Sequence, residues 1–314
     1  MKNSKKALVT GGAGFIAGHI ARNLKSRNYE TIIVDNLKTG NKKNLPPNCR
    51  FINSDVGSDS YLDDVGNGFD LIYHFAGQSS VEISFRDPVY DIDTNARSTL
   101  LLLDYALKKS PNAHFIYASS MSVYGATGVM PKSESMSRDG TNFYAIGKRA
   151  SEDYLRIYNS KGLKTTSLRL FNIYGSGQNL NNLAQGMISI YLAQALFNKK
   201  ISIKGSLERT RDFVYIDDLL NYLLKIEHNP KAFSREINIC SGKEFKVAEV
   251  IDVIKDVLEY EISLDLLDST PGDIPRMVGC NKLLKNLTQI DCTTSLHKGI
   301  SMMVERYRND TYFQ

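Results

Sequence analysis

Short apolar runs alternate with amphipathic stretches through the first half of the chain. Turn-forming residues bound these runs, a pattern that predicts buried β-strands separated by helices. The strands are predicted at Lys6–Thr10, 31–34, Arg50–Asn53, 70–75, 113–118 and Lys164–Leu170. The helices are predicted from the first glycine-rich turn to about residue 26, and over 93–109, 142–158 and 186–197.

Strands that alternate with helices favour a parallel sheet with right-handed crossovers. We therefore expect an α/β fold with a doubly wound, Rossmann-type parallel sheet. The pattern changes after residue 172, where an Asn- and Gln-rich loop precedes shorter elements. We expect a first domain over 1–172, with parts of about 213–240 returning to it, and a smaller α/β lobe mainly over 173–314.

The composition does not change the predicted fold, but it limits the partners and the location that we expect for the protein. The 314 residues are 42% hydrophobic and 23% charged, and the net charge of +5 comes from scattered lysines and arginines. Because there is no coherent basic stripe, we expect no nucleic-acid partner. The four cysteines are widely spaced, so we expect neither disulfides nor a metal site. No apolar run is as long as a membrane span and the N-terminus has no signal-peptide core, so a cytoplasmic location is expected.

A glycine-rich turn, Gly11-Gly12-Ala13-Gly14, directly follows the first strand. It permits a tight turn and a close approach to a pyrophosphate, while the next helix presents free N–H groups to phosphates. Asp35 ends the second strand about twenty residues later, where a carboxylate binds ribose hydroxyls and repels a 2′-phosphate. A turn-forming role is the alternative for Asp35, but the joint spacing favours a dinucleotide site that prefers NAD to NADP.

Tyr144 and Lys148 are four residues apart in the predicted helix over 142–158, so their side chains project from one face. A free phenol has a pKa of about 10. A neighbouring ammonium favours the phenolate and lowers this pKa, so the pair can act as a base. The alternative is that Tyr144 is simply half-buried on an amphipathic helix, because so short a pattern often occurs by chance.

Ordered motifs along almost the whole chain resemble the extended short-chain dehydrogenase/reductase family. Within it, the chain is similar to the NAD-dependent nucleotide-sugar epimerases and dehydratases of the UDP-glucose 4-epimerase type. The motifs are Thr10-Gly11-Gly12-Ala13-Gly14-Phe15-Ile16, Asp35-Asn36, His74-Phe75-Ala76-Gly77-Gln78, Ser119-Ser120, Val123-Tyr124-Gly125, Tyr144 with Lys148, Arg169-Leu170-Phe171-Asn172, Arg211-Asp212-Phe213-Val214 and Pro271-Gly272-Asp273.

The resemblance implies a role for each matching residue. Tyr144 would be the acid/base for a sugar hydroxyl, Lys148 would lower its pKa and bind the nicotinamide ribose, and Ser120 would bridge the substrate hydroxyl and Tyr144. NAD would be held at its pyrophosphate by Gly11, Gly14, Phe15 and Ile16, at its adenosine ribose by Asp35 and Asn36, and at its adenine by Asp55 and Val56. The other residues of the NAD site would be Phe75, Ala76, Gly77, Asn95, Tyr144, Lys148 and Phe171. The substrate would be held by Ser120, Tyr144, Asn172, Arg211 and Asp273. An ion pair with Asp212 is the alternative for Arg211.

Met121 and Ser122 bear on the choice of reaction. Relatives that dehydrate or decarboxylate nucleotide sugars usually carry acidic residues just after the catalytic Ser or Thr, because eliminating water needs a second acid/base. Neither residue can do this at neutral pH. We therefore expect a nucleotide-sugar 4-epimerase that acts through a transient 4-keto sugar. A 4,6-dehydratase or another sugar-modifying relative is the alternative, and a non-catalytic dinucleotide-binding sensor or scaffold is the alternative of another class.

The sugar and the nucleotide base stay open. Thr270 occupies the place of a phosphate-binding arginine, so either Arg276, Arg209 or a lysine substitutes for it, or the substrate is not an ordinary UDP-sugar. Met277 excludes neither glucose nor N-acetylglucosamine. The resemblance further implies a homodimer in which the helices over 93–109 and 142–160 pair across a two-fold axis.

Overall fold

A computed structural model describes residues 5–126, 128–182, 186–269 and 274–312, with side chains as far as residue 309. The strands are β1 (Lys6–Thr10), β2 (Glu30–Asp35), β3 (Arg50–Asn53), β4 (Leu71–His74), β5 (His114–Ser120), β6 (Lys164–Leu170), β7 (Asn172–Tyr174), β8 (Lys200–Lys204), β9 (Thr210–Arg211), β10 (Phe213–Tyr215), β11 (Arg235–Ile239), β12 (Phe245–Lys246), β13 (Ser263–Leu267) and β14 (Arg276–Met277). The helices are α1 (Phe15–Ser26), α2 (Val81–Arg86), α3 (Pro88–Ile92), α4 (Ser98–Lys109), α5 (Phe143–Ser160), α6 (Met187–Asn198), α7 (Ile216–Ile226), α8 (Val247–Leu258), α9 (Lys282–Thr288) and α10 (Leu296–Tyr312).

The main sheet is parallel and has seven strands in the order β11-β6-β5-β4-β1-β2-β3. The chain starts in the middle, runs outward through β2 and β3, and then crosses over to β4 on the other side of β1. This reversal is the topology of a doubly wound Rossmann-type fold, so the predicted fold class is confirmed. The carboxyl ends of its parallel strands share one edge, where such folds bind ligands.

The chain divides into two compact units. The first contains residues up to 125, 138–170 and 222–237, and the second contains 126–137, 171–221 and 238 onward. In the first unit, a fully buried cluster that includes Leu8, Ile72, Leu102 and Phe115 packs the sheet against helices. The assignment of cofactor binding to one unit and substrate binding to the other stays a prediction.

The helical stretch before β5 begins earlier than predicted and is not uniform. It starts at Pro88, where the Asp87 carboxylate accepts a hydrogen bond from Tyr90 N at 3.0 Å and caps the helix. Between α3 and α4 the residues Asp93–Arg97 form a π-helical turn, and this turn carries Asn95. Such turns are rare and are frequent at functional sites.

Helix α5 buries several polar residues and exposes some apolar ones. Tyr144, Lys148 and Glu152 are buried, whereas Phe143 and Ile157 are 46% and 52% exposed. The buried polar groups are tolerated because each has a partner, as described below.

The second unit is organised around the fully buried carboxylate of Asp212. It accepts hydrogen bonds from Ser241 N at 2.8 Å, Ser241 Oγ at 2.6 Å, Gly242 N at 3.0 Å and Gly279 N at 3.2 Å. Burial nevertheless raises the pKa of this carboxyl, and the four donors oppose that shift. These bonds tie the segments after β11 and β14 to the loop between β9 and β10. Across the described part of the chain, no helix has both the length and the apolar character needed to span a membrane.

A glycine inside α5 provides a test of how this helix is packed. A methyl group at Gly147 would lie 3.5 Å from Asn95 Cβ and 3.6 Å from Asp91 Oδ2, which is ordinary contact. Gly147→Ala should therefore stabilise the protein by about 0.5–1 kcal/mol, since alanine loses less backbone entropy in a helix. Urea unfolding measures this change.

Gly11→Ala is the matched control for this prediction. Gly11 has φ of +75°, and its added methyl group would lie 2.8 Å from Ala76 N. This variant should be destabilised. A comparable loss of stability in both variants would contradict the packing described for α5.

Candidate active site

Polar residues end four adjacent strands of the first unit. Thr10, Asp35, His74 and Ser120 are the last residues of β1, β2, β4 and β5. Because these strands are parallel, the four residues lie along the same edge of the sheet. His74 Nδ1 is 2.8 Å from Thr10 Oγ1, and burial lowers the pKa of His74 to about 3. His74 is therefore a neutral bridge between neighbouring strands rather than a proton donor.

The glycine turn has the shape of a phosphate cradle. Gly11 packs against the backbone of Ala76, too closely for any side chain. Gly14 is the N-cap of α1, so no side chain caps this end of the helix, and its first turn contains no acidic residue. The N–H groups of Phe15 and Ile16 begin the helix and suit an anion. The four predicted pyrophosphate residues therefore lie together in one turn.

Asp35 lies beside this turn and is nearly buried. Its Oδ2 accepts a hydrogen bond from Ala13 N at 3.0 Å, and its Oδ1 accepts one from Leu37 N at 2.7 Å. The second bond is the turn-forming role considered as the alternative. A carboxylate has about four acceptor positions, so Asp35 retains capacity for the hydroxyls of a ribose.

Asn36 and Asp55 extend this region along the sheet edge. Asn36 Nδ2 donates to Asp55 Oδ2 at 2.8 Å, while Asp55 Oδ1 accepts from Gly57 N at 2.8 Å. Val56 is buried in the core cluster of the first unit. The hydrogen bond joins the residue predicted for the ribose to the one predicted for the adenine.

The residues that follow β4 lie near a buried side-chain oxygen that has no hydrogen-bond partner within the described structure. Ala76 N donates to Thr10 Oγ1 at 3.2 Å, and Phe75 contacts Tyr73 with ring centroids 5.9 Å apart. Asn95 Nδ2 donates to Gln78 O at 2.9 Å, but Asn95 Oδ1 is buried and accepts no hydrogen bond within the described structure. Because a buried acceptor needs a partner, this oxygen fits a bound ligand donor. The residues present therefore fit a dinucleotide.

Ser120, Tyr144 and Lys148 meet at the end of β5. The Ser120 hydroxyl donates to Ser122 Oγ at 3.1 Å and accepts from Ser122 N at 3.2 Å, and it lies near the Tyr144 phenol, whose pKa it lowers. Lys148 Nζ donates to Ala118 O at 2.8 Å and lies 5.6 Å from the centroid of the Tyr144 ring. The structure thus brings the three predicted catalytic residues together, and Tyr144 is buried rather than half-buried.

The electrostatics of this group differ from the expectation that Lys148 lowers the pKa of Tyr144. Burial raises the pKa of Tyr144 to about 12, with the Ser120 hydrogen bond opposing the shift and the charge of Asp91 adding to it. Burial also lowers the pKa of Lys148 to about 8, and Asp91 opposes that shift. Desolvation is the largest cause of both shifts, because burial disfavours the charged form of each group.

A buried ion pair that the sequence analysis missed supports this site. Arg169 Nη2 and Nε donate to the two Glu152 carboxylate oxygens at 2.8 and 2.9 Å, and both side chains are almost completely buried. Ser119 Oγ donates to Glu152 Oε1 at 2.6 Å, and Arg169 Nη1 donates to Tyr124 Oη at 2.9 Å. The pair joins α5 to β5, β6 and the turn after Ser120. In the sequence, the one indication of a buried Glu152 is its position four residues after Lys148, on the same face of the helix.

The predicted residues of the second unit form a separate group. Asn172 Nδ2 donates to Asp212 O at 2.8 Å, beside Arg211 in the chain. Arg211 lies in β9 between Phe245 and Met277, and its Nη1 donates to Thr210 O at 2.8 Å. Phe171 is buried, and its N donates to Ile239 O at 3.1 Å. Asp273 and Thr270 lie outside the described residues, so their predicted roles stay predictions.

Comparison with known proteins identifies the class to which this fold and site belong. Residues 7–240 match the model of the NAD dependent epimerase/dehydratase family. The chain belongs to this family of nucleotide-sugar enzymes, and NAD is its cofactor.

Individual relatives carry two different activities in their names. A putative UDP-glucose 4-epimerase of Methanocaldococcus jannaschii is 38% identical over 256 residues, which are 81% of this chain and 82% of that protein. UDP-glucuronic acid decarboxylase 1 of Xenopus tropicalis is 28% identical over 324 residues, covering 100% of this chain and 74% of that protein. The crystal structure of the Thermotoga maritima UDP-glucose 4-epimerase with UDP-glucose has a TM-score of 0.91 and 28% identity, covering 98% of this chain and 99% of that one.

Proposed function

We propose that this chain is an NAD-dependent nucleotide-sugar 4-epimerase. Its substrates would be UDP-glucose and UDP-galactose or the corresponding N-acetylhexosamines, interconverted through a transient 4-keto sugar. The observation that carries the proposal is the Ser120–Tyr144–Lys148 group followed by Met121 and Ser122. The group supplies an acid/base for one hydroxyl, and the next two residues supply no second acid/base for an elimination. The epimerase names of similar proteins support the same reaction.

Bound NAD supplies a hydride acceptor and, in its oxidised form, a positive charge. Tyr144 takes the proton from the sugar 4-hydroxyl and later returns a proton to the 4-oxygen. Ser120 orients the hydroxyl and the phenol through its hydrogen bonds. Lys148 stabilises the phenolate electrostatically. NAD held by the glycine turn and Asp35 would supply reversible hydride exchange at carbon 4, so the reaction would have no net oxidation.

The phosphate cradle and the second unit have separate duties in this proposal. Gly11, Gly14, Phe15 and Ile16 hold the pyrophosphate of NAD, and Asp35 takes the adenosine ribose. Asn172 and Arg211 hold the substrate diphosphate. This division keeps the nucleotide anchored while the hexose presents either face to the same acid/base.

UDP-glucuronic acid decarboxylation is the second candidate function. It is favoured by the relative that matches this chain over its whole length. The Ser122 side chain weighs against it, because its hydroxyl is hydrogen bonded to Ser120 and cannot replace a carboxylate as an acid at neutral pH.

A panel of purified UDP-, GDP- and dTDP-sugars, including UDP-glucuronic acid, tests the proposed function. Anomeric protons would be followed by NMR without added cofactor. We expect new signals of the 4-epimer from one or more UDP-hexoses, while a UDP-pentose from UDP-glucuronic acid would identify a decarboxylase. A stable 4-keto-6-deoxy sugar would identify a dehydratase.

The proposal includes a homodimer, and exposed apolar side chains support it. Phe85 is 59% exposed and contacts Phe143 across α2 and α5, while Val89, Ile92 and Ile146 are 67%, 55% and 43% exposed on the neighbouring helices. Several exposed apolar side chains on neighbouring helices are typical of an interaction site. The proposal also includes a cytoplasmic location, which the four free cysteines fit, and neither a nucleic acid nor a membrane as partner.

Sedimentation of Ile146→Glu tests this interface. The wild-type chain should sediment as a dimer, and Ile146→Glu should be monomeric because it buries a charge in an apolar interface. Leu266→Glu, which changes a 62% exposed leucine in the second unit, is the control and should remain dimeric. A monomeric wild type, or an unaffected Ile146→Glu dimer, would contradict the proposed interface.

A further inference from the structure

Asp91 is a buried acid beside the catalytic helix that the proposed mechanism does not use. It lies at the end of α3 and is 1% exposed. Its Oδ1 accepts hydrogen bonds from Gln78 Nε2 at 2.6 Å and Asn95 Nδ2 at 3.2 Å. Two amide donors to one oxygen favour the ionised carboxylate and oppose the effect of burial, which raises its pKa.

Asp91 faces α5 at the position next to Lys148. A methyl group built on Gly147 would lie 3.6 Å from Asp91 Oδ2. One built on Gly77 would lie 2.5 Å from Asn95 Oδ1 and 3.6 Å from Lys148 Nζ. Asp91 helps to orient the Asn95 amide, and its charge acts on the Lys148 ammonium. The Asn95 oxygen and the Lys148 ammonium therefore lie close to the same backbone position, Gly77.

The other ionisable groups around Lys148 carry no compensating charge. His74 on β4 is neutral, because burial lowers its pKa to about 3. Tyr117 on β5, whose ring centroid is 4.9 Å from Lys148 Nζ, is also neutral because burial raises its pKa. Glu152 on α5 is paired with Arg169. Within the described residues, Asp91 is the acid whose charge acts on Lys148.

We propose that Asp91 is a positioning residue for the Tyr144–Lys148 pair, fixing the Gln78 and Asn95 amides and supplying the negative charge that keeps the buried Lys148 ammonium protonated. The turnover consequence rests on the proposed function, because it assumes that a charged Lys148 is needed for the reaction. The consequence for folding does not depend on any substrate or reaction.

The sign of the folding effect follows from the lowered pKa of Lys148. Burial makes the charged form of Lys148 unfavourable in the folded protein, and this cost to stability is fully present below about pH 8. The cost disappears as the pH rises toward 10.5, the pKa of Lys148 in the unfolded chain. Asp91 can reduce the penalty only where Lys148 is protonated. Removing the Asp91 charge should therefore cost stability mainly below about pH 8.

Asp91→Asn keeps an oxygen for the Gln78 and Asn95 amides but removes the charge. In turnover measurements, we expect the alkaline limb of its pH profile to move to lower pH by about one unit, since removing a neighbouring opposite charge lowers the pKa of an ammonium. Asp104→Asn on α4 is the control, because its carboxylate is exposed and bonded to Lys108 Nζ at 2.5 Å. The control should leave the limb where it is.

Urea unfolding of the same proteins provides the readout without turnover. The stability lost in Asp91→Asn should be larger at about pH 6.5 than at about pH 9.5, and this pH dependence should vanish in a Lys148→Met background. Asp91→Ser should behave like Asp91→Asn. The proposal would be overturned by equal losses of stability at both pH values, or by an alkaline limb that does not move. Failure of a neutral Asp91 variant to fold would also overturn it, because Asp91 would then be a purely structural residue. A pH-dependent loss in a chain without epimerase activity would support Asp91 while refuting the proposed function.

Discussion

Tyr144→Phe should lower turnover of the sugar substrate by roughly 10²–10⁴-fold, because it removes the group that exchanges a proton with the 4-hydroxyl. The phenol is buried near Ser120, so water cannot easily replace it. NAD should still be bound, since the glycine turn, Asp35 and Lys148 are unchanged. Turnover is followed by NMR of the sugar product, and NAD content by its release from denatured protein.

Tyr154→Phe is the matched control for this variant. Tyr154 lies on the same helix, packs against the core cluster and is only partly buried, away from the Ser120–Tyr144–Lys148 group. Its loss of a hydroxyl should leave turnover within a few-fold of the wild type. Tyr144→Phe with wild-type activity would refute the assignment of the acid/base.

Glu152→Gln should have the largest effect on stability, a loss of about 3–5 kcal/mol in the free energy of unfolding. The variant keeps the shape of the side chain but leaves the Arg169 guanidinium, which is 1% exposed, without its counter-charge. Ser119 and Arg138 also lose the charged acceptor to which they donate. Chemical denaturation monitored by circular dichroism measures the loss.

Asp153→Asn is the control for the buried pair. Asp153 is the next residue on α5, and its side chain is 45% exposed. Its carboxylate forms ion pairs with Arg138 at 2.7 Å and Arg156 at 2.9 Å. Exposed ion pairs contribute about 0–1 kcal/mol, so this variant should lose little. Similar losses in the two variants would mean that burial of the Glu152–Arg169 pair does not matter to stability.

Local sequence patterns were sufficient to predict most strands of the main sheet. β1, β3 and β6 have the bounds that the sequence predicted. For β1 the reason is that a strand buried on both faces needs continuous hydrophobic residues. The glycine turn and Asp35 were likewise found from their spacing. β11 was anticipated only as a returning segment, since its place beside β6 depends on contacts between residues far apart in the chain.

The helix before β5 shows what a periodic pattern leaves out. Its true start at Pro88 was readable in principle, because Asp87 followed by proline is a helix-start signal. The π-helical turn at Asn95 was not readable. In this turn Asn95 contacts Asp91, four residues earlier in the same helical stretch, and Gln78, which follows β4.

Helix α5 reversed the usual interpretation of an amphipathic helix. Phe143, Tyr154 and Ile157 fall on its apolar face in the sequence, yet Phe143 and Ile157 are exposed. The buried face instead carries Lys148, Ser151 and Glu152, whose partners come from β5, β6 and the π-helical turn. Partners so distant in sequence cannot be predicted from one helix. Burial is the largest cause of the raised pKa of Tyr144, and burial likewise depends on the surrounding fold.

The most direct test of the central claim uses a UDP-hexose that carries deuterium at carbon 4. Hydride transfer from carbon 4 and return to the same carbon, with Tyr144 handling only the hydroxyl proton, predicts a 4-epimer that retains the deuterium in ordinary water. Mass spectrometry and NMR of the product measure its position. Loss of the label to solvent, or its appearance at another carbon of a 4-keto-6-deoxy product, would contradict the account.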